Sequence, residues 1–174
     1  MDEEQKAQWA LIEQAVKSFA DEGKDLADQW DAIDRKAQGM VTVAGVFVAG
    51  LLAFVKDLAE DASGGQRYAL TVSLGLLVVA VAFSLFAMHM RSAKPAPVGD
   101  TLKTMVDELL GAGTPDYDAF RKFANDHGSA WAAANEDVLK VNLKKAYWLE
   151  ASQWLLVGGV FAAAAATLMR TWGG

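Results

Sequence analysis

The chain has 174 residues and a formal net charge of −6, which is long enough for one compact unit and too short for two ordinary domains. The acidic balance excludes a general nucleic-acid-binding protein, since such a protein needs a basic surface to displace phosphate counterions. Because the sequence has no cysteine, disulfides, thiolate zinc sites and cysteine nucleophiles are also excluded.

The first segment, residues 1–38, carries apolar residues in alternating steps of three and four, the spacing of helices packed side by side. Its acidic start lacks the basic and then apolar order of a secretory signal, so we expect no cleaved leader. Gly23 interrupts the pattern and predicts a kink or short break. The stripe packs either on helices of the same chain or on another subunit. We call this stripe the seam; it consists of Trp9, Ile12, Val16, Phe19, Gly23, Leu26, Trp30, Ile33, Ala37 and Met40.

Three runs without a charged residue follow at 37–55, 68–90 and 151–169, each 19 to 23 residues long. About 20 helical residues cross roughly 30 Å of hydrocarbon, and backbone groups in lipid must be bonded within the segment. We therefore predict an all-α integral membrane protein with three transmembrane helices and a cytosolic helical bundle. The spans are placed at about 39–56, 68–90 and 151–170, the first two forming a hairpin. The alternative, a soluble bundle, is disfavoured because core helices seldom run 23 residues without charge.

Basic residues predict the orientation of these spans. Residues 1–38 carry five Lys and Arg and residues 91–150 carry eight, whereas the loop between the first two spans has two and the carboxyl-terminal tail one. The amino terminus and the region 91–150 are therefore predicted to be cytoplasmic. The first loop and the carboxyl terminus are predicted to lie outside a bacterial inner membrane.

The cytosolic region 91–150 begins with a connector, RSAKPAPVGD, whose two prolines resist helix formation. A short helix is predicted over about 101–110, and Thr114 followed by Pro115 predicts the start of another. That second helix is expected to stop near His127 and Gly128. From Ser129 onward, one long helix is predicted to run into the third span.

The sequence contains no metal-binding spacing, phosphate-binding glycine loop or catalytic triad, and the three apolar runs hold no charged residue, so a non-enzyme without cofactors or metals is predicted. Small residues four apart predict close helix packing, within the chain or between subunits, at Gly45, Ala49, Gly158, Ala162 and Ala166. Mildly polar residues could line a pore or merely bond to their own helix backbone. They are Thr42, Thr71, Ser73, Ser84, Gln153 and Thr167.

Two stretches carry a family resemblance. DRKAQGMVTVAGVFVAGLL, from Asp34 to Leu52, resembles the start of the first span in the transmembrane effectors of Pycsar bacterial antiphage systems. VLKVNLKKAYWLEASQWLLVGGVFA, from Val138 to Ala162, resembles the helix that leads into their third span. The related SLATT effectors share the hairpin but lack the third crossing. The resemblance implies an inner-membrane effector that responds to a cyclic nucleotide and compromises the membrane.

The expected function is therefore a membrane-disrupting defence effector that acts as a homo-oligomer in the lipid bilayer. A constitutive small channel, similar to a holin, or a membrane scaffold for a soluble partner is the alternative. A cyclic mononucleotide ligand would need basic residues beside the spans, although anchoring to lipid headgroups is the more ordinary role for such residues. The predicted ligand-binding residues are Arg35, Lys36, Arg91, Lys94, Lys144 and Lys145, with Lys140 close by.

Overall fold

The computed structural model of the protein describes residues 3–59, 62–90 and 117–172. Each stretch is built around one helix: α1 from Glu3 to Ala59, α2 from Gly64 to His89 and α3 from Tyr117 to Trp172. No strand occurs among the described residues, which confirms the all-α class. All three helices are long and apolar enough to cross a membrane.

Helix α1 continues through Gly23 without interruption, so the break predicted there is wrong. A Cβ atom built on Gly23 would lie 2.9 Å from Cζ3 of Trp131 and 3.1 Å from Oδ1 of Asn135. The glycine therefore allows α3 to approach α1 closely. Its weak helix propensity, about 1 kcal/mol below alanine, is overridden by packing against α3.

Helix α3 also continues through His127 and Gly128, where the sequence predicted a stop. Gly128 is buried, and a Cβ atom there would lie 3.4 Å from Cε2 of Phe19. Contact with α1 thus accounts for this glycine as well. The helix predicted over 101–110 and the cap predicted at Thr114 lie outside the described residues.

Helix α2 begins with a capping box. The Ser63 hydroxyl accepts a hydrogen bond from the Gln66 backbone N–H at 3.4 Å, and the Gln66 side chain accepts one from the Ser63 N–H at 2.8 Å. These two bonds satisfy amide donors that the first turn of a helix leaves without partners. The helix therefore starts four residues before the predicted span at 68.

The described residues form two compact units. The polar unit contains α1 up to Trp30 and α3 up to Asn142; the apolar unit contains α1 from Asp31, all of α2, and α3 from Leu143. The seam is buried or half-buried from Phe19 to Met40, and its neighbours in the polar unit are residues of α3. In the polar unit this part of the seam therefore packs on α3 of the same chain. The side chains of Trp9, Ile12 and Val16 lie outside the described part.

The apolar unit has a core of small residues and an exposed surface of large ones. Fully buried positions include Ala37, Ala44, Ala80 and Ala87, whereas 71% of Phe161 is exposed. In the most apolar 18 residues of each helix, no more than 22% are buried. Such a surface is unfavourable in water and ordinary in lipid, which agrees with a multi-pass membrane protein.

Candidate functional site

Three serines connect α2 and α3 inside the apolar unit, and each is fully buried. The Ser73 hydroxyl donates to the Gly159 carbonyl oxygen at 2.7 Å, and the Ser152 hydroxyl donates to the Ala80 carbonyl oxygen at 2.8 Å. The hydroxyls of Ser84 and Ser152 lie 2.7 Å apart. Because Ser152 has one proton and gives it to Ala80, Ser84 is the donor in this last bond. All three hydroxyls are therefore satisfied without water.

Gly159 lies where these two helices approach each other closely. A Cβ atom there would lie 2.8 Å from Cγ of Leu77 and 3.3 Å from the Ser73 carbonyl oxygen. Leu77 is fully buried. The absence of a side chain at residue 159 is thus what lets Ser73 reach the α3 backbone.

Three other mildly polar residues of the spans bond to their own helix backbone, the simpler of the two predicted roles. Thr42, Thr71 and Thr167 donate to carbonyl oxygens four residues earlier in their own helices, at 3.0, 2.9 and 3.0 Å. Gln153 is exposed. Only Ser73 and Ser84, among the residues considered for a pore, bond across helices in the part of the chain that the structure describes.

The predicted packing residues divide into two groups. In α3, Ala166 is buried, Ala162 is half-buried, and a Cβ atom on Gly158 would make an ordinary contact of 3.5 Å with Leu76. In α1, Ala49 is exposed and a Cβ atom on Gly45 would have no neighbour within 4 Å. The chain itself therefore uses the α3 group for close packing and leaves the α1 group open.

An ion pair joins α1 to α3 just before both enter their apolar runs. Nζ of Lys145 lies 2.7 Å from Oδ1 of Asp34, and the two residues are 111 positions apart. The side chain of Lys145 is 0% exposed and that of Asp34 is 28% exposed. The lysine charge is thus held inside protein, while the carboxylate retains access to solvent.

The remaining basic candidates differ from Lys145. Arg35, Lys36 and Lys144 are exposed. Lys140 is exposed and bonds to Glu136 at 2.7 Å. Arg91 and Lys94 lie outside the described residues. Lys144 and Lys145, neighbours in sequence, therefore occupy opposite environments, and a ligand role for the exposed residues stays a prediction.

An aromatic cluster strengthens the contact between α2 and α3 near the end of α2. The ring of Trp148 meets the rings of Phe83 and Phe86 edge to face, with centroids 4.8 and 5.2 Å apart. Pairs of this geometry stabilise by about 0.5–1.5 kcal/mol beyond the area they bury. These ring contacts therefore help to hold α2 against α3 at this end of the apolar unit.

Two asparagines fix the register of α1 on α3 in the polar unit. Nδ2 of Asn135 donates to the Phe19 carbonyl oxygen at 3.1 Å, and Nδ2 of Asn142 donates to that of Leu26 at 3.0 Å. Donors and acceptors are both seven residues apart, so the same contact repeats one heptad later. The Asn142 side-chain oxygen is buried and has no hydrogen-bond partner among the described residues.

A buried histidine lies in the same unit, 24 residues before the third apolar run. The His127 ring stacks on Phe123 and meets Trp131 edge to face, with centroids 5.8 and 6.1 Å apart. Its Nδ1 and the Nε1 of Trp131 have no hydrogen-bond partner in the described part of the chain. Burial lowers the pKa of His127, because a charged imidazole would lose its hydration there.

Sequence reasoning missed Asp34 as the partner of Lys145, together with Asn135, Asn142, Ser152 and Gly159. A signal for most of them was present. One face of α3 repeats every seven positions, at Lys145, Ser152, Gly159 and Ala166. This spacing is typical of a helix face that packs against a neighbouring helix. Polar residues on such a face predict specific contacts across helices.

Among the described residues, no cluster of His, Asp and Glu could hold a metal ion. Comparisons with protein-family models, curated proteins and solved structures find no match to this chain.

Proposed function

We propose that the protein is an inner-membrane effector of antiphage defence that is sealed at rest and opens on a cyclic nucleotide signal. Its three apolar helices cross the bilayer, with the amino terminus in the cytoplasm and the carboxyl terminus outside. Opening disrupts membrane integrity, and several copies act together. The protein performs no catalysis in this proposal.

The observation that carries the proposal is the closed hydrogen bonding of Ser73, Ser84 and Ser152 inside the apolar unit. In a channel that is open at rest, hydroxyls at these positions would face water in a lumen. Here they bond to one another and to backbone oxygens, and small residues fill the space between the helices. A sealed resting form favours a triggered effector over a constitutive channel.

The apolar unit contains only three helices, which bears on how many copies of the protein a breach of the membrane would need. The described interior of the apolar unit consists largely of buried alanine, serine and leucine residues, and protein interiors of this kind are close-packed. A breach therefore requires helices to separate and to enclose water with helices of other copies. Gly45 and Ala49, which have open space beside them, offer a surface for such contacts.

The test uses purified protein in vesicles of bacterial phospholipid loaded with a self-quenching dye. We expect dye to stay inside until a cyclic mononucleotide is added, with cyclic CMP, UMP, AMP and GMP tried separately. Release without any nucleotide would identify a constitutive channel. Retention under every condition would contradict membrane disruption and leave the scaffold as the better interpretation.

A matched pair of variants links release to the serine contacts. Ser152→Ala removes two hydrogen bonds between α2 and α3, whereas Thr167→Ala removes only a bond within α3. Interhelical bonds of this kind contribute about 0.6 kcal/mol each in membrane proteins. We expect faster release from Ser152→Ala than from Thr167→Ala, and equal rates would exclude the serine contacts from the seal.

A further inference from the structure

Three buried polar atoms of α3 have no hydrogen-bond partner among the described residues. They are Nδ1 of His127, Nε1 of Trp131 and Oδ1 of Asn142, and all three belong to the polar unit. The residues His127 and Asn142 are only 7% and 3% exposed. A buried polar atom without a partner loses its hydration and gains no bond in exchange. Closure of the polar unit therefore carries a cost that access to water would remove.

The apolar unit, taken by itself, does not show this cost. Its buried hydroxyls at Ser73, Ser84 and Ser152 are all bonded to another helix. The unpartnered buried atoms found in the described part of the chain all lie outside it. The two units thus differ in how completely their buried polar groups are satisfied.

The unpartnered atoms lie along the contact between α1 and α3. The Trp131 ring lies against Gly23 of α1, 2.9 Å from the position that a Cβ atom would take there. Asn142 donates to the Leu26 carbonyl oxygen of α1 at 3.0 Å, so only its side-chain oxygen lacks a partner. His127 lies one turn before Trp131, on the same side of α3. Separation of α1 from α3 in this unit would therefore give these atoms access to water.

We infer that the contact between α1 and α3 in the polar unit is marginally stable and opens transiently, as a conformational device built into the fold. Each unpartnered atom weakens the closed contact by a factor of about 5 to 150 relative to a satisfied one. The bonds from Asn135 and Asn142 to α1 oppose opening. A ligand that prefers the open form thus needs a smaller difference in affinity to populate it. The inference holds whether or not the protein disrupts membranes.

The test follows the accessibility of cysteines placed in this contact, because the chain has no native cysteine. Buried Ala134 and Ala124 are 5% and 7% exposed, and each is replaced by cysteine in a separate full-length chain. Reaction with N-ethylmaleimide is followed in membranes at pH 8, where the imidazole of His127 is uncharged. A cysteine at exposed Ala133 is the matched control, and its rate should be the same in every background.

Two substitutions in the contact should move the labelling rate in opposite directions. His127→Phe removes an unpartnered nitrogen and keeps an aromatic ring beside Phe123, so the cysteine at position 134 should react at least about fivefold more slowly. Asn135→Ala removes a side chain that bonds to the Phe19 carbonyl oxygen, so the cysteine at position 124 should react about fivefold faster or more. Each reporter lies at least seven residues from the substitution it monitors.

The opposite signs separate this inference from two simpler accounts. If apolar packing alone held the contact, both substitutions would disturb it and both would accelerate labelling. If every polar group in the contact were unfavourable, both substitutions would slow labelling. An unchanged or faster rate for His127→Phe overturns the inference, and so does a slower rate for Asn135→Ala.

The indole of Trp131 supplies an independent variant for the case that His127→Phe does not accumulate. Benzothienylalanine at this position replaces the N–H group by sulfur and keeps the shape of the two fused rings. It removes another unpartnered buried atom, so the cysteine at position 124 should again react about fivefold more slowly. A rate equal to or above that of the parent chain would overturn the inference.

Discussion

Adjacent glycines in α3 allow a sharp test of how the apolar unit packs. Alanine at Gly159 would place its Cβ 2.8 and 2.9 Å from two carbons of Leu77 and 3.3 Å from the Ser73 carbonyl oxygen. Alanine at Gly158 would meet only Cδ1 of Leu76 at an ordinary 3.5 Å. The two substitutions change the same helix by the same methyl group. Any difference in their effect therefore reports on packing alone.

The expected magnitude follows from these distances. Overpacking of a filled core costs about 1–3 kcal/mol, and Gly159→Ala would in addition strain the hydrogen bond from Ser73. The gain in helix propensity, up to about 1 kcal/mol, is common to both variants and cancels in the comparison. We expect Gly159→Ala to be less stable than Gly158→Ala by about 1–3 kcal/mol, which corresponds to a melting temperature lower by roughly 2–12 °C.

The assay is thermal unfolding of the purified variants in one detergent, followed by circular dichroism at equal protein concentration. Leu77→Ala combined with Gly159→Ala is the control, because it removes the atoms that the new methyl group would strike. That pair should show a smaller penalty for the alanine at residue 159 than the wild-type background does. Equal melting temperatures for the two single variants would refute the close approach of α2 and α3 at Gly159.

Three further outcomes are expected. Gly23→Ala should destabilise the polar unit by about 1–3 kcal/mol, because the new Cβ would lie only 2.9 Å from the Trp131 ring. Urea unfolding of the purified chain measures this loss, and a gain in stability would contradict the contact. Burial lowers the pKa of His127, so the stability of the protein should be highest above pH 6.5, the usual pKa of histidine, and should fall as the pH drops through the lowered folded-state pKa. Thermal melting between pH 7.5 and 5 should show this loss of stability in the wild type and not in His127→Phe. Cysteine at Ser63 should react with an impermeant reagent on intact cells and cysteine at Ser129 should not, and the reverse pattern would invert the proposed orientation.

The apolar runs were predictable because a membrane span is a property of composition over about 20 residues. Run length and the absence of charge were enough to locate three helices, whatever their neighbours. The seam from Phe19 to Met40 was predictable for a similar reason, since periodic burial follows from the 3.5-residue spacing itself. These features depend on patterns within one segment.

The errors arose where a residue's role depends on another segment. Helix propensity is a local quantity and predicts breaks at Gly23 and Gly128, whereas their contacts with Trp131 and Phe19 belong to the other helix. Lys144 and Lys145 are adjacent in sequence, yet a step of 100° around α3 turns Lys145 inward and Lys144 outward. Its partner Asp34 is 111 positions away, and no pattern within either segment joins them.

The repeated contact of Asn135 with Phe19 and of Asn142 with Leu26 has a consequence for how the length of the chain could change. Insertion of one residue between the two asparagines would rotate the second by 100° and carry it away from its acceptor. An insertion of seven residues between the two asparagines, matched by seven between Phe19 and Leu26, would preserve both asparagine hydrogen bonds. Variation in length within this part of the protein should therefore occur in paired heptads, which would lengthen the helices by about 10 Å without altering their contacts.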